Sequence, residues 1–563
     1  MKKMRNKAIR YTSIAMSAVM LAGTVVSTVS ADEAKEEVEL TVFGNQYQPS
    51  EVGTQYDIIA DKIAEKTGVR INCVEIDNGT NEADIISTWM ASNDLPDVFY
   101  VPNDEILQKL IDAGMIMELS DYWNEENCPN LCGATPDLAR RQEYMSEKKF
   151  GGDHYEVFLW GGTGAENQPT VGFYVPWNIY KEAGYPEVNT LDDLVNAIEL
   201  MQKNCPETES GLPTYGASGW FAEAGSWGSW CVDQIAMCMG YICDTPVYTF
   251  DVENRTILDT PPLTDPDSIW WQAMKFYFDL NQRGLLDPDC ITLKYDQWLE
   301  KTSASQYMMI MPGWETEGIK SNTGLSYVAL KPMGNATVCD WSAELGGEGY
   351  AIASTCKNPE KALQLLDYLC SPEGTRIAYS GLEGLTWEMV DGKAQLTQQY
   401  IEDSKNLGNA ELVEKYGQPL GHMVGYVLNV VNPADNSTVE LKYTPEYKAS
   451  QMTEDEKDAL AFYGVDSIRE IYTKDTKSVM TVLGEYNNNI PSWPDELAKD
   501  MTDLQNFVYR NYLNCIFAKD EADFEEQKQD IIEGAADYNI DGLYQWFKEQ
   551  FDIAKEAVDP YLQ

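Results

Sequence analysis

Residues 96–119 read Pro96-Asp97-Val98-Phe99-Tyr100-Val101-Pro102-Asn103-Asp104-Glu105-Ile106-Leu107-Gln108-Lys109-Leu110-Ile111-Asp112-Ala113-Gly114-Met115-Ile116-Met117-Glu118-Leu119. The continuous apolar run Val98–Val101 predicts a strand covered on both faces, as in a parallel sheet flanked by helices. Ile106, Leu107, Leu110 and Ile111 then share one helix face, and Gly114 suits the C-terminal stop. The same alternation extends upstream. Val38, Leu40 and Val42 alternate with polar residues, as in a half-buried strand. A helix signal over Gln55–Thr67 ends at Gly68, Val69–Ile76 alternates again, and a second helix signal covers about Glu82–Ala91. Strands alternating with helices predict an α/β chain with a parallel sheet and right-handed crossovers.

Downstream, Asn358-Pro359-Glu360 has the residue types that open a helix: a capping Asn, Pro at the first position, and an acid at the positive end. Ala362, Leu365, Leu366 and Leu369 follow at i, i+3, i+4 and i+7, and Ser371-Pro372 ends the run. A further helix is predicted from about Asp267 to Arg283, with Trp270, Met274, Tyr277 and Phe278 on its apolar side and Gly284 closing it. From Asp495 onward the pattern is almost wholly helical.

With 563 residues, 44% apolar and 11% aromatic, the chain can bury a sizeable core. Its length suggests three or four domains at about 150 residues each. A mostly disordered chain and a disulfide-knotted miniprotein are excluded. Lys and Arg total 41 against 91 Asp and Glu, a formal charge of −50. That charge repels phosphate backbones, so no nucleic-acid partner is expected, and it suits a soluble monomer. His154 and His422 are the two histidines, which thins the options for zinc sites and for His-based catalysis.

Lys2, Lys3, Arg5, Lys7 and Arg10 precede an apolar stretch from about Ile14 to Val26 and the small residues Val29-Ser30-Ala31. This is the pattern of a cleavable signal peptide over residues 1–31, which predicts an extracytoplasmic protein, secreted or held at the cell envelope. Loss of those five basic residues takes the chain to −55. Leu21-Ala22-Gly23 resembles the start of a lipobox, but Thr24 stands where the lipidated Cys belongs, which argues against a lipid anchor there. No second apolar run approaches the roughly 20 residues of a membrane span. The 12 cysteines lack the paired knuckles of a zinc site. Cys128 and Cys132 could form a local bridge, and the others read as buried thiols.

Several blocks in order resemble the bacterial extracellular solute-binding proteins of the large family-1 group that serve ABC importers. They are Pro96–Tyr100 with Gly114–Leu119, Tyr180–Gly184 with Asn189–Leu194, and Phe276–Asp289. Lys357–Ala362 with Ser371–Gly374, and Gly381–Trp387 with Asp391–Lys393, complete the series. The resemblance runs from Leu40 to about Asp552. It implies a two-lobed periplasmic-binding-protein-like α/β fold with hinge-linked lobes and a helical C-terminal region. The first lobe takes about 38–165 and 327–380, the second about 170–325 and 385–563. Gly161–Gly164 and Lys331–Gly334 sit where crossovers are expected. The 205–215 stretch lacks the alternating oxygen ligands and central Gly of a calcium loop, so no metal is expected, and no cofactor is called for.

The aromatic residues carry the site reading. Trp220, Trp227 and Trp230 crowd a Gly/Ser-rich stretch that reads as a loop, with one or two expected in the cleft and the rest structural. Trp314 follows Met311-Pro312-Gly313 after an apolar run, the place where the resemblance implies a Trp that stacks on sugar. A pyranose offers C–H groups to an indole face while its hydroxyls need polar partners. Asn103 and Asp104 match the family's polar contacts after the Val98–Val101 strand. Asn45, Gln46 and Tyr47 lie past the first strand, at the end where open α/β sheets bind ligands. Glu348 and Trp387 complete the candidates. No nucleophile elbow, zincin, P-loop or dinucleotide motif is present, so no catalytic residue is named. The expected function is an extracytoplasmic receptor that binds an oligosaccharide and delivers it to ABC-transporter permease subunits. A secreted carbohydrate-active enzyme, or a receptor for a peptide or other polar solute, are the alternatives.

Overall fold

The computed structural model describes residues 37–44, 52–74, 82–146, 150–158, 169–223, 226–243, 245–334, 336–341, 349–420, 431–475 and 477–562. Its strands are β1 (Val38–Phe43), β2 (Gly53–Thr54), β3 (Val69–Cys73), β4 (Val98–Val101), β5 (Val171–Pro176), β6 (Tyr241–Ile242), β7 (Phe250–Asp251), β8 (Thr256–Ile257) and β9 (Ile310–Pro312). They continue with β10 (Tyr327–Ala329), β11 (Ala336–Trp341), β12 (Gly349–Ile352), β13 (Trp387–Val390), β14 (Lys393–Leu396), β15 (Val431–Asn432), β16 (Ser437–Thr438) and β17 (Lys477–Thr481).

The first sheet has the order β12-β4-β1-β3-β2. β1 is parallel to β3, with Leu40 opposite Ile71, and to β4, with Val42 opposite Val98. The two edge strands, β12 and β2, run antiparallel. Val98–Val101 is buried throughout, as its unbroken apolar run requires. Asp97 fixes the start of β4 to β1: its Oδ2 accepts from the Thr41 backbone N–H at 2.9 Å and from Thr41 Oγ1 at 2.8 Å. The helix Ile58–Thr67 connects β2 to β3. Asp57 caps it by accepting from Ile59 and Ala60 N–H, and Gly68 ends it at φ 75°, a left-handed conformation that costs glycine nothing. The helix Pro359–Cys370 opens with Pro359 at its first turn and buries Ala362, Leu365, Leu366 and Leu369. Asn358 makes no side-chain cap bond.

The second sheet has the order β10-β5-β9, all antiparallel. β10 therefore corrects the expected boundary at 327: Tyr327 pairs with Pro176 and Ala329 with Tyr174, so the chain leaves the second sheet only after 329. Lys331–Gly334 follows at that exit, and β11 comes next, paired in parallel with β17, before β12 joins the first sheet. Gly161–Gly164 lies outside the described residues. The helix Ile269–Gln282 is capped by Ser268 and buries Trp270, Met274, Tyr277 and Phe278.

The segment expected in the second lobe from 385 onward divides instead. Up to about 441 it packs on the first-sheet side. Leu420 N–H donates to Ala378 O (2.9 Å) and Ser380 Oγ to Val439 O (2.9 Å). Arg376, in the helix Pro372–Ser380, is buried against Asp435 and Ser437. Helical periodicity reports a buried face but not which neighbour buries it, so assigning this whole stretch to the second lobe rested on the order of the family blocks alone. The helix Glu454–Tyr463 turns to the second-sheet side. Asp458 there accepts from Lys181 Nζ (2.5 Å), Tyr185 OH (2.6 Å) and Trp177 Nε1 (2.9 Å). Helices Asp495–Ile516, Glu521–Ala535 and Ile540–Val558 confirm the helical C-terminal region, and the last stacks Phe547 on Tyr248 at 3.9 Å. Among the described residues no helix is long and apolar enough to cross a membrane. Cys128 and Cys132 are thiols with their sulfurs 3.6 Å apart.

Two carboxyls give these contacts a pH signature. Lys181, then Tyr185 and Trp177, hold the Asp458 carboxyl down at about 2. Its folded value lies below its ordinary one, so its stabilisation is present above about pH 4 and is lost as pH falls through 2. Asp458→Asn should weaken the pH dependence of acid unfolding in that window, followed by circular dichroism. Glu440 behaves oppositely. Burial pushes its carboxyl up to about 7, and Lys442 and Lys448 offset this only in part. The folded state binds the proton more tightly, so stability declines as pH rises from about 4.5 through 7. Glu440→Gln should abolish that decline in melting temperature.

Candidate functional site

β9 ends at Pro312, and Gly313 carries the chain into a single 3-10 turn, Gly313–Glu315. A Cβ on residue 313 would lie 2.3 Å from Pro169 O and 2.6 Å from Tyr174 OH, so this close backbone approach requires glycine. The turn presents Trp314 outward with 45% of its surface exposed. Two neighbours hold it in place.

Trp314 Nε1 donates to Tyr295 OH at 2.9 Å, and that hydroxyl donates to Glu315 Oε1. The Tyr295 backbone N–H donates to Glu223 Oε2 at 3.2 Å. One indole face stacks on Trp230, with centroids 5.9 Å apart and planes 18° from parallel. Behind them Trp220 meets Tyr295 edge-on at 5.1 Å and Trp298 at 4.8 Å. Burial, with the Glu315 carboxylate second, pushes the Tyr295 hydroxyl far above its ordinary range. It therefore stays a neutral donor to Glu315 and keeps a lone pair for the indole N–H. The indole N–H is spent, and the exposed surface of Trp314 can contact a ligand chiefly through its ring. The half-buried carboxylates Glu315 and Glu223 are both tied to Tyr295, the residue that holds the indole, and carboxylates are acceptors for hydroxyl donors. An apolar face beside fixed acceptors is the chemistry a sugar ring needs.

Of the residues singled out in the sequence, the structure brings Trp314 and Trp230 together. Trp230 lies in a helix, Ser226–Cys238, where a loop was expected. Trp220 is corrected to a core residue: it is 1% exposed and offers no face to a ligand. The stretch through Glu223 is a loop as expected, and its glycines serve packing within it. A Cβ on Gly216 would lie 2.6 Å from Ile198, and one on Gly219 2.6 Å from the Phe221 ring. Trp227 lies on the same helix as Trp230, and its side chain is outside the description. Asn103 is exposed and caps the helix Asp104–Asp112 by accepting from Ile106 N–H at 3.0 Å. Asp104 is the first residue of that helix. Asn45, Gln46, Tyr47 and Glu348 lie outside the described residues. Trp387, at the start of β13, donates Nε1 to Gly381 O (3.1 Å) and lies under the Arg376 guanidinium at 5.5 Å. It belongs to the Arg376 cluster rather than to the Trp314 platform.

Sequence reading missed Tyr295, Glu223 and Glu315. The first two reach the platform from segments 19 and 91 residues upstream of Trp314, and no local pattern links them; only the adjacency of Glu315 offered a signal. Among the described residues, no three His, Cys, Asp or Glu side chains are grouped to hold a metal ion.

Solved structures with the same fold cover nearly the whole chain. A substrate-binding protein of an ABC transporter from Streptococcus pneumoniae, FusA, solved with kestose, is 16% identical with a TM-score of 0.57, covering 92% of this chain and 100% of its own. An extracellular solute-binding protein from Bifidobacterium longum subsp. infantis is 13% identical with a TM-score of 0.58, covering 94% and 100%. The N-glycan transport solute-binding protein NgtS of S. pneumoniae is 12% identical with a TM-score of 0.56, covering 92% and 99%. At such identities the likeness shows the shared two-lobed fold. No curated protein matches in sequence. The model of the family described as bacterial extracellular solute-binding protein matches residues 48–376. With more than half its length under that model and the fold to match, the chain belongs to the bacterial extracellular solute-binding protein family.

Proposed function

We propose that this protein is the extracytoplasmic receptor of an ABC importer, and that it binds a neutral oligosaccharide between its lobes without altering it. The observation that carries the reading is Trp314: an exposed indole locked by Tyr295 and Trp230, with Glu315 and Glu223 bonded to that same Tyr295. Such a platform is organised before ligand arrives, which lowers the ordering cost of binding. Three proteins of this fold support the same ligand class: FusA solved with kestose, NgtS solved with Man1GlcNAc, and an HMO-binding solute-binding protein of Bifidobacterium longum infantis. Hinge closure would bring the first lobe over the ring, and permease subunits would receive the loaded monomer. Residues 1–31 would serve as the signal for export.

Thermal melting against oligosaccharides, peptides and polyols tests this, with each mixture assayed for breakdown. A ligand at about 100 times its dissociation constant adds roughly 2.7 kcal/mol of stability. The expected result is a clear upward shift with an oligosaccharide recovered intact. Cleaved sugar would make the protein an enzyme, and a shift with peptide alone would keep the receptor and change its ligand.

A further inference from the structure

A depression of about 500 Å3 lies on the first-sheet side, between β2, the start of the helix Ile58–Thr67, and the end of the helix Asn409–Tyr416. Its size falls within the roughly 300–1,000 Å3 of small-ligand sites. None of these elements contributes to the Trp314 platform. Gly417 makes the depression possible. Its φ is +86°, and a Cβ there would lie 2.8 Å from Asp57 Oδ1 and 2.9 Å from Ile59. Only glycine lets the end of one helix close on the start of the other.

Tyr56 stands in this depression with 70% of its surface exposed. The Arg70 guanidinium lies 5.1 Å from the ring centroid and braces it. Arg70 is itself fixed. Nε and Nη2 donate to Glu37 (3.1 and 2.9 Å), and Nη1 donates to Asp61 (2.6 Å) and to Gln55 O (3.0 Å). Two carboxylates neutralise its charge, so it orients the ring and does not recruit an anion. The lining also includes apolar Val52, Ile58 and Val413 and the polar Asp57, Glu414 and Gln418. Asp57 gives one oxygen, Oδ1, to the helix cap. No Lys, Arg or His is among the described residues that line it. A braced aromatic ring with carboxylate acceptors, its one nearby cation already paired to Glu37 and Asp61, suits a neutral ligand rich in hydroxyl donors and disfavours an anionic one.

We propose that this depression is a second saccharide site, separate from the Trp314 platform, where a neutral pyranose stacks on Tyr56 and donates hydroxyls to Asp57 and Glu414. Saturation-transfer NMR on the full chain tests it, with maltotriose and kestose as neutral probes and trigalacturonate as the anionic one. In the Trp314→Ala background a neutral trisaccharide should still receive saturation. Adding Tyr56→Ala should cut that signal at least fivefold, adding Tyr56→Phe should preserve it, and trigalacturonate should receive little. An undiminished signal in the Tyr56→Ala double variant, no signal from either neutral probe in Trp314→Ala, or equal transfer to trigalacturonate would overturn the proposal. Failure of the Trp314 reading is distinguishable, because it shows as unchanged tight binding in Trp314→Ala alone.

Discussion

Replacing Trp314 with alanine should lower oligosaccharide affinity about thirtyfold and lower the melting temperature of the unliganded protein only modestly. The size follows from the role. A preorganised aromatic at the centre of a contact is typically worth about 2 kcal/mol or more on truncation, and 1.4 kcal/mol is about tenfold. Some stability is lost as well, because an indole that is 45% exposed keeps more than half of its surface covered, and that apolar contact goes with the ring. Trp314→Phe should fall between wild type and alanine. It keeps a ring over Trp230 but loses the bond to Tyr295 OH, so its plane is no longer fixed. Titration calorimetry on the three proteins checks the order. Equal affinities would remove Trp314 from the ligand contact.

The second large effect concerns folding. Arg376 and Asp435 form an ion pair with side chains only 5% and 4% exposed. Arg376 Nη1 donates to Asp435 Oδ2, and Nη2 donates to Asp435 Oδ1 (3.1 Å), Ser437 Oγ (2.8 Å) and Thr438 O (3.1 Å). This cluster is what holds β15 and β16 to the helix Pro372–Ser380. Asp435→Ala leaves a guanidinium buried without its counter-charge, a change that costs about 3–5 kcal/mol. The double variant Arg376→Met/Asp435→Leu should be less destabilised than Asp435→Ala, because two apolar groups carry no unpaired charge. Denaturant unfolding measures both. A single variant within 1 kcal/mol of wild type would mean that water reaches the guanidinium.

The local signals in the sequence were reliable where one element explained itself. Val98–Val101 is buried on both faces, Gly68 ends its helix in a left-handed conformation, and Ile269–Gln282 buries the aromatic side read from its periodicity. Signals that depend on a partner elsewhere were not legible. Trp220 sits among glycines that pattern reading assigns to a loop, yet Gly216 and Gly219 are glycine because neighbouring side chains leave no room for a Cβ. The order of the family blocks put 385–441 in the second lobe, and nothing in its own residues reports its partner; Arg376 and Gly417 decide its place instead, through a buried charge and a close approach. At the platform, Trp314 was visible from its position after a strand, while Tyr295 and Glu223 were not. Their roles exist only once the helix beginning at Tyr295 and the turn before Ser226 meet the end of β9.

The central claim is that the Trp314 platform captures an oligosaccharide that leaves unchanged. Calorimetric titration of the chain with neutral oligosaccharides, followed by chromatography of the recovered sugar, tests it most directly. Saturable binding of one sugar class, weakened in Trp314→Ala, with the sugar recovered whole, is the predicted result. Shortened sugar in the recovered fraction, or no heat from any oligosaccharide while a peptide binds, would contradict it.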